Sequence, residues 1–134
     1  MIAAGNIHSC TDITGFGFLG HACETIEGSD VGLRIEAARI PILEGVRDLV
    51  ESGHLPGGLY RNRNYRLHQV EKAPSCPDWI FDVCFDPQTA GGLFFSLPSG
   101  KAEPLAEAMR RAGITDAAVV GDVVADHSGK ILLE

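Results

Sequence analysis

The chain has 134 residues, 45% of them hydrophobic and 22% charged, with 18 acidic against 11 basic side chains and a formal charge of −7. That is the size and balance of one ordinary folded domain, which sets aside a disordered chain or two domains. A negative field repels phosphate backbones and anionic lipid, and no apolar run approaches the roughly 20 residues of a membrane span. No nucleic-acid or membrane partner is therefore expected. Met1 to Asn6 lacks the basic and apolar regions of a signal peptide, and a reduced cytoplasmic setting is expected because a chain with an adequate core needs no disulfide staples.

In chain order, Gly17 to Glu27 predicts a helix with Phe18, Leu19, Ala22, Cys23 and Ile26 on one stripe, ended by Gly28-Ser29-Asp30. Val31, Leu33 and Ile35 alternate with Gly32, Arg34 and Glu36, the period of a strand with one wet face. After Pro41, the residues Ile42, Leu43, Val46, Leu49 and Val50 repeat at helical spacing, with Gly53 placed to cap the end. His54 to Pro77 has little periodicity and holds Pro56-Gly57-Gly58 and Arg61-Asn62-Arg63-Asn64, so a long mobile loop is expected there. Trp79 to Phe85 reads as a short helix and Leu93 to Leu97 as a largely buried strand. Lys101 to Ala112 reads as a helix with Leu105, Ala108, Met109 and Ala112 inward and Pro104 tolerated in its first turn. Ala117 to Ala125 and Lys130 to Leu133 read as two last strands joined by Asp126-His127-Ser128-Gly129. The alternation without strict βαβ regularity predicts an α+β domain, a layered mixed sheet with packed helices.

Two segments carry residue types beyond what folding needs. In Cys10-Thr11-Asp12-Ile13-Thr14-Gly15-Phe16-Gly17, the glycines allow a sharp turn and close approach of N–H groups to a ligand. A helix starting there would aim its positive end at an anion. Asp12 and Thr14 are hard oxygen donors suited to Mg²⁺ held beside phosphate. The same two residues equally suit an N-cap, the commoner use of Asp and Thr before a helix. Asp86-Pro87-Gln88-Thr89-Ala90-Gly91-Gly92-Leu93 is either a turn into a strand or a set of backbone amides presented to a ligand. Neither segment is a Walker A loop.

The cysteines Cys10, Cys23, Cys76 and Cys84 form no C-x-x-C pair, and a reduced protein without disulfide staples is expected. His8-Ser9-Cys10 and His21-Ala22-Cys23 repeat a His-x-Cys spacing. A zinc tetrad from them is disfavoured, because the second pair lies on a helix where i and i+2 diverge by roughly 200°.

Thr11-Asp12-Ile13-Thr14-Gly15-Phe16-Gly17 closely resembles the T-D-x-T-G-F-G signature of the selenophosphate synthetases (selenide, water dikinases). Asp86 to Leu93 resembles their D-P-Q-T-S-G-G-L with Ala90 in place of serine, and Pro56-Gly57-Gly58 with Arg61-Asn62 resembles their P-G-G…R-N segment. The three lie in family order. The wider group includes aminoimidazole ribonucleotide synthetase, thiamine-phosphate kinase and a hydrogenase-maturation protein.

The resemblance implies the C-terminal domain of a two-domain, homodimeric enzyme that makes selenophosphate from selenide, ATP and water, releasing AMP and phosphate, with Mg²⁺ as cofactor. It further implies that the N-terminal ATP-binding domain, with the catalytic cysteine or selenocysteine, lies outside residues 1–134. By that implication the chain begins on the tail of a helix, Met1 to Gly5, and ends where the family ends. It carries no catalytic residue of its own, and none of its cysteines takes the catalytic role. Asp12 matches the family's metal ligand in this domain. Thr11, Thr14, Gly15 and Gly17 match the phosphate-facing turn, and Gly91 and Gly92 match the second motif. A stand-alone anion- or ligand-binding module of the same fold, or another ATP-dependent member of the superfamily, is the alternative.

Overall fold

A computed structural model describes residues 7–134, so the helical tail expected at Met1 to Gly5 lies outside the described residues. The elements are β1 Ser9–Asp12, α1 Gly17–Ile26, β2 Gly32–Ile35, α2 Val46–Glu51, α3 Gly57–Arg66, β3 Val70–Lys72, α4 Asp78–Val83, β4 Leu93–Ser96, α5 Ser99–Arg111, β5 Gly121–Val124 and β6 Ile131–Leu133. Short 3₁₀ turns sit at Ala37–Arg39 and Leu67–Gln69. β1 and β4 form an antiparallel ribbon in which Asp12 stands opposite Leu93. The other strands form a mixed sheet in the order β3-β6-β2-β5, with β5 antiparallel to β2 and the β2–β6 and β6–β3 pairs parallel. The α+β class read from the sequence holds.

The helical stripe of α1 and the alternating face of β2 meet where their periodicities aim them. Leu19, Ala22, Cys23 and Ile26 join Leu33, Ile35, Ile131 and Leu133 in one buried cluster, closed by Leu59 of α3 and by Ile80, Phe81 and Phe85 at α4. Phe85 stands edge-on to Phe81 at 5.3 Å between centroids. Each such side chain contributes about 1.5–3 kcal/mol by leaving water, so this cluster is what holds the domain.

Several expectations are corrected. The helix after Pro41 spans only Val46–Glu51, because Gly45 at φ 82° breaks the helical backbone ahead of it. Its end is as expected: the Gly53 N–H reaches the Val50 carbonyl (2.9 Å) and the His54 N–H the Leu49 carbonyl (2.9 Å), a two-bond terminal cap. β4 is half-buried and Leu93 is exposed, because an open groove lies beside the ribbon.

The last helix begins two residues early, at Ser99, so Pro104 lies inside it rather than in its first turn and lacks the N–H that would meet the carbonyl of the exposed Gly100 one turn before it. Of the four residues expected inward on it, Ala108 and Ala112 are exposed, and Ala106 is the buried one. β5 and β6 do not pair with each other, because β2 lies between them.

The largest correction is at His54 to Pro77, which contains α3, a 3₁₀ turn and β3 rather than a mobile loop. Periodicity missed α3 because its anchors are mostly polar. Leu59 is fully buried, Asn62 bonds to backbone carbonyls, Arg63 Nη1 donates to Asp82 Oδ1 at 2.7 Å, and Arg66 Nη1 donates to Gln69 Oε1 at 2.8 Å. Each anchor sits on a satisfied partner, which offsets the ordering cost of roughly 1–2 kcal/mol per residue. Hydrogen exchange should therefore show protected amides across Tyr60 to Arg66, and Leu59→Ala should destabilise the protein by about 2–5 kcal/mol in denaturant titration. Exchange at unstructured-peptide rates across α3 would contradict this packing.

Candidate functional site

β1 delivers the first motif to one end of the ribbon, and the second motif returns beside it. The Ile13 N–H donates to the Gly92 carbonyl (2.9 Å), the Gly91 N–H to the Ile13 carbonyl (2.8 Å), and the Gln88 N–H to the Thr14 carbonyl (3.0 Å). Residues 11–17 thus lie along residues 86–93. From α3, the Asn62 side-chain amide donates to the Gly15 carbonyl at 2.9 Å and to the Phe85 carbonyl at 3.0 Å. Gly58, at the start of that helix, abuts the Pro87 ring. The three segments singled out in the sequence, 70 residues and more apart at their extremes, therefore meet as one constellation.

Two glycines make that meeting possible. Gly17 has φ 72°, and a Cβ there would come within 2.7 Å of the Phe85 carbonyl carbon. A Cβ on Gly91 would lie 2.8 Å from the Ile13 oxygen and 2.8 Å from the Gln88 amide oxygen. Their N–H groups are spent within the protein: Gly17 bonds to Thr14, Gly91 to Ile13, and Leu19, in the first turn of α1, to Cys84. Gly15 and Gly92 are exposed, with open space where a side chain would start.

The capping reading of Asp12 and Thr14 is overturned. The residue before α1 is Phe16, which makes no side-chain cap. Asp12 sits at the end of β1, exposed, and its carboxylate has no partner among the described residues. Its backbone carbonyl accepts from the Thr11 hydroxyl at 3.3 Å. Thr14 is half-buried and turns its hydroxyl to His21 Nε2 at 2.9 Å. One carboxylate without a protein partner suits a hard cation, but no group of three or more His, Cys, Asp or Glu able to hold a metal occurs among the described residues. Asp86, half-buried beside this turn, has its carboxyl pKa raised by loss of solvent.

Two residues outside the expected set matter here. Asn62 lay in the supposed loop, and its signal was only the Arg61-Asn62 resemblance. His21, of the second His-x-Cys pair, has both ring nitrogens committed, one to Thr14 and one to Glu24. Its neighbour in that pair, Cys23, is buried, and desolvation pushes its thiol up to about 11. Burial likewise raises Cys76 and, further, Cys84, so these three remain thiols rather than the thiolates that react or bind zinc. Cys10 is exposed. Arg61 is the one arginine with no carboxylate partner among the described residues, and it adjoins the Asn62 clamp.

Comparison with known proteins bears on this constellation. Residues 1–134 match the family described as AIR synthase related protein, C-terminal domain. The chain belongs to this family. It is 42% identical over 96% of its length to the selenide, water dikinase of Pelobacter propionicus and covers 37% of that protein. It is 41% identical over 96% of its length to selenide, water dikinase 2 of Peptoclostridium acidaminophilum, again covering 37%. The chain thus spans little more than a third of the curated relatives it matches. Among solved structures, hydrogenase maturation protein HypE superposes over all of the chain and 36% of its own length, with a TM-score of 0.64 at 19% identity. That likeness shows the fold alone. The resemblance read from the three motifs is upheld by the curated relatives.

Two measurements check this geometry. Asn62→Ala should cost about 0.5–1.5 kcal/mol, because the part-buried Phe85 carbonyl and the exposed Gly15 carbonyl both lose their donor, and Gly17→Ala at least about 1–2 kcal/mol from its backbone conformation alone. The thiols set the alkaline limit. Desolvation lets the folded state hold the Cys23 proton up to about 11, while the unfolded chain releases it above the ordinary thiol value of 9.0. Stability should therefore fall as pH rises from about 9 towards about 11, by on the order of 3 kcal/mol from this residue, and less steeply in Cys23→Ala.

Proposed function

We propose that this chain is the C-terminal domain of a selenide, water dikinase, and that the protein carrying it makes selenophosphate from selenide, ATP and water, releasing AMP and phosphate. The observation that carries this reading is the convergence of three motif segments on the Asp12–Gly17 turn, in a chain about 40% identical to selenide, water dikinases over nearly its whole length. In this reading Thr11, Asp12, Thr14, Gly15 and Gly17, with Gly91 and Gly92, form the wall that the domain presents to an N-terminal ATP-binding domain, and the whole protein is a homodimer.

Asp12 fits the role of a ligand to Mg²⁺, since its carboxylate is exposed and unclaimed. Bound Mg²⁺ supplies charge neutralisation for phosphate oxygens. The remaining ligands would come from the ATP-binding domain, because no cluster of three occurs here among the described residues. The chain's own residues act by placement. Asn62 and the Gly17 contact hold the turn against the Asp86–Leu93 segment, so that Asp12 projects from a rigid ribbon rather than a loose loop. Arg61, without a carboxylate partner among the described residues, leaves a positive charge at the same edge for an anionic group. The buried Cys23, Cys76 and Cys84 are unsuited to attack.

Phosphorus NMR of the full-length protein with ATP and selenide should show selenophosphate, and residues 1–134 alone should yield none. Asp12→Asn in the full-length protein should lower turnover tenfold or more, at least the loss of about 10–100-fold typical of a group that merely supports a metal ligand. Circular dichroism of that variant should be unchanged. Full turnover by Asp12→Asn would remove this residue from the site.

A further inference from the structure

His21 is 8% exposed, on the buried face of α1. Its Nδ1 is 2.8 Å from Glu24 Oε2, and its Nε2 is 2.9 Å from Thr14 Oγ1. An ionised carboxylate has no proton to give, so Nδ1 carries the hydrogen and donates to Glu24. In the neutral ring Nε2 then holds a lone pair, and the hydrogen between it and Thr14 is the hydroxyl's. Glu24 is steadied from α3, where Arg66 Nη2 lies 3.8 Å from its Oε1, and Phe16 tilts against the imidazole at 5.5 Å between ring centres. The ring therefore has little freedom to turn over.

We propose that His21, set by Glu24, is a positioning residue that fixes the polarity of the Thr14 hydroxyl. The proposal rests on the reading of the Thr11–Gly17 turn as a metal- and phosphate-facing site, and it sharpens that reading. A threonine hydroxyl has one proton and two lone pairs. With the proton committed to His21, Thr14 offers lone pairs alone to a bound group. Lone pairs attract a cation or the N–H or O–H of a ligand, and they repel the oxygens of a phosphate. Thr14, two residues beyond Asp12, thereby belongs to the cation side of the site. Phosphate oxygens must be met by other groups, of which Arg61, with no carboxylate partner among the described residues, is the cation adjoining the Asn62 clamp.

The test uses the full-length protein with histidine labelled by ¹⁵N in the ring, His21 being assigned by the signal lost in His21→Gln. Nδ1 should be protonated, and Nε2 should be bare with a shift that changes in Thr14→Val. In kinetics, Thr14→Val and His21→Leu should raise the KM for Mg²⁺ about tenfold, the worth of one hydrogen-bonding group, with a smaller effect on kcat. His21→Gln, whose side-chain oxygen can stand where Nε2 stood, should recover most of that loss.

A protonated Nε2 would overturn the proposal, as would a KM for Mg²⁺ unchanged in Thr14→Val. If circular dichroism shows His21→Leu unfolded, the shape-conserving Thr14→Val decides. A protein without selenide-dependent turnover would refute the proposed function, while the nitrogen shifts would still decide the direction of the Thr14–His21 hydrogen bond.

Discussion

Between Gly17 and the Phe85–Asp86 peptide there is no room for a side chain: a Cβ on Gly17 would sit 2.7 Å from one backbone carbon and 2.9 Å from two backbone oxygens. That close approach lets the start of α1 lie directly on the end of the α4 segment, where the Leu19 N–H takes the Cys84 carbonyl at 2.9 Å. Everything at the candidate site hangs from it. The Asp12–Gly17 turn is pressed against the Asp86–Leu93 segment, Thr14 is brought within reach of His21, and Asn62 spans the seam from the third side. A chain that must bring two backbones this close needs glycine at the contact, whatever its function.

The site is stiffened by polar groups that the hydrophobic core alone would not order. Arg66 is 8% exposed, and a buried guanidinium is costly unless its donors are met. Here Gln69 accepts at 2.8 Å, Glu27 and Glu24 lie at 3.5 and 3.8 Å, and the Tyr65 ring covers it at 5.0 Å. The same Glu24 holds His21. Arg66, Glu24, His21 and Thr14 thus run as a chain of contacts from α3 to the turn, alongside the direct link through Asn62. Isolated surface ion pairs such as Arg47–Glu51 carry little by comparison, because solvent screens them.

The domain's two sides are unequal. One face of the mixed sheet is sealed by α1, α3 and α4, whereas α5 buries only Ala106. A groove of 1720 Å³ remains between the ribbon, α5 and the β2–β5 side of the sheet, lined by residues such as Ile13, Phe18, Phe94, Met109 and Val120. This explains why β4 is half-buried although its sequence is that of a core strand. Stability within residues 7–134 therefore rests on the sealed face.

Much was legible in the order of residues. The stripe of α1, the alternation of β2 and the cap at Gly53 are local patterns whose partners lie within a few residues, so periodicity finds them. The motif residues stood out for a related reason: Asp, Thr and paired glycines before a helix or strand exceed what folding requires. What the sequence could not disclose was set by distance along the chain. α3 is anchored by Asn62, Arg63 and Arg66, polar residues whose value depends on carbonyls and carboxylates elsewhere, and no local pattern records them. β6 joins β2 and β3 rather than β5 because sheet order follows from which faces must be covered, not from which strands are neighbours in sequence. The choice between Asp12 as a helix cap and Asp12 as a free carboxylate was likewise tertiary. Chemistry permits both, and only the pairing of β1 with β4, which seats Asp12 on a strand four residues before Phe16, removes the cap.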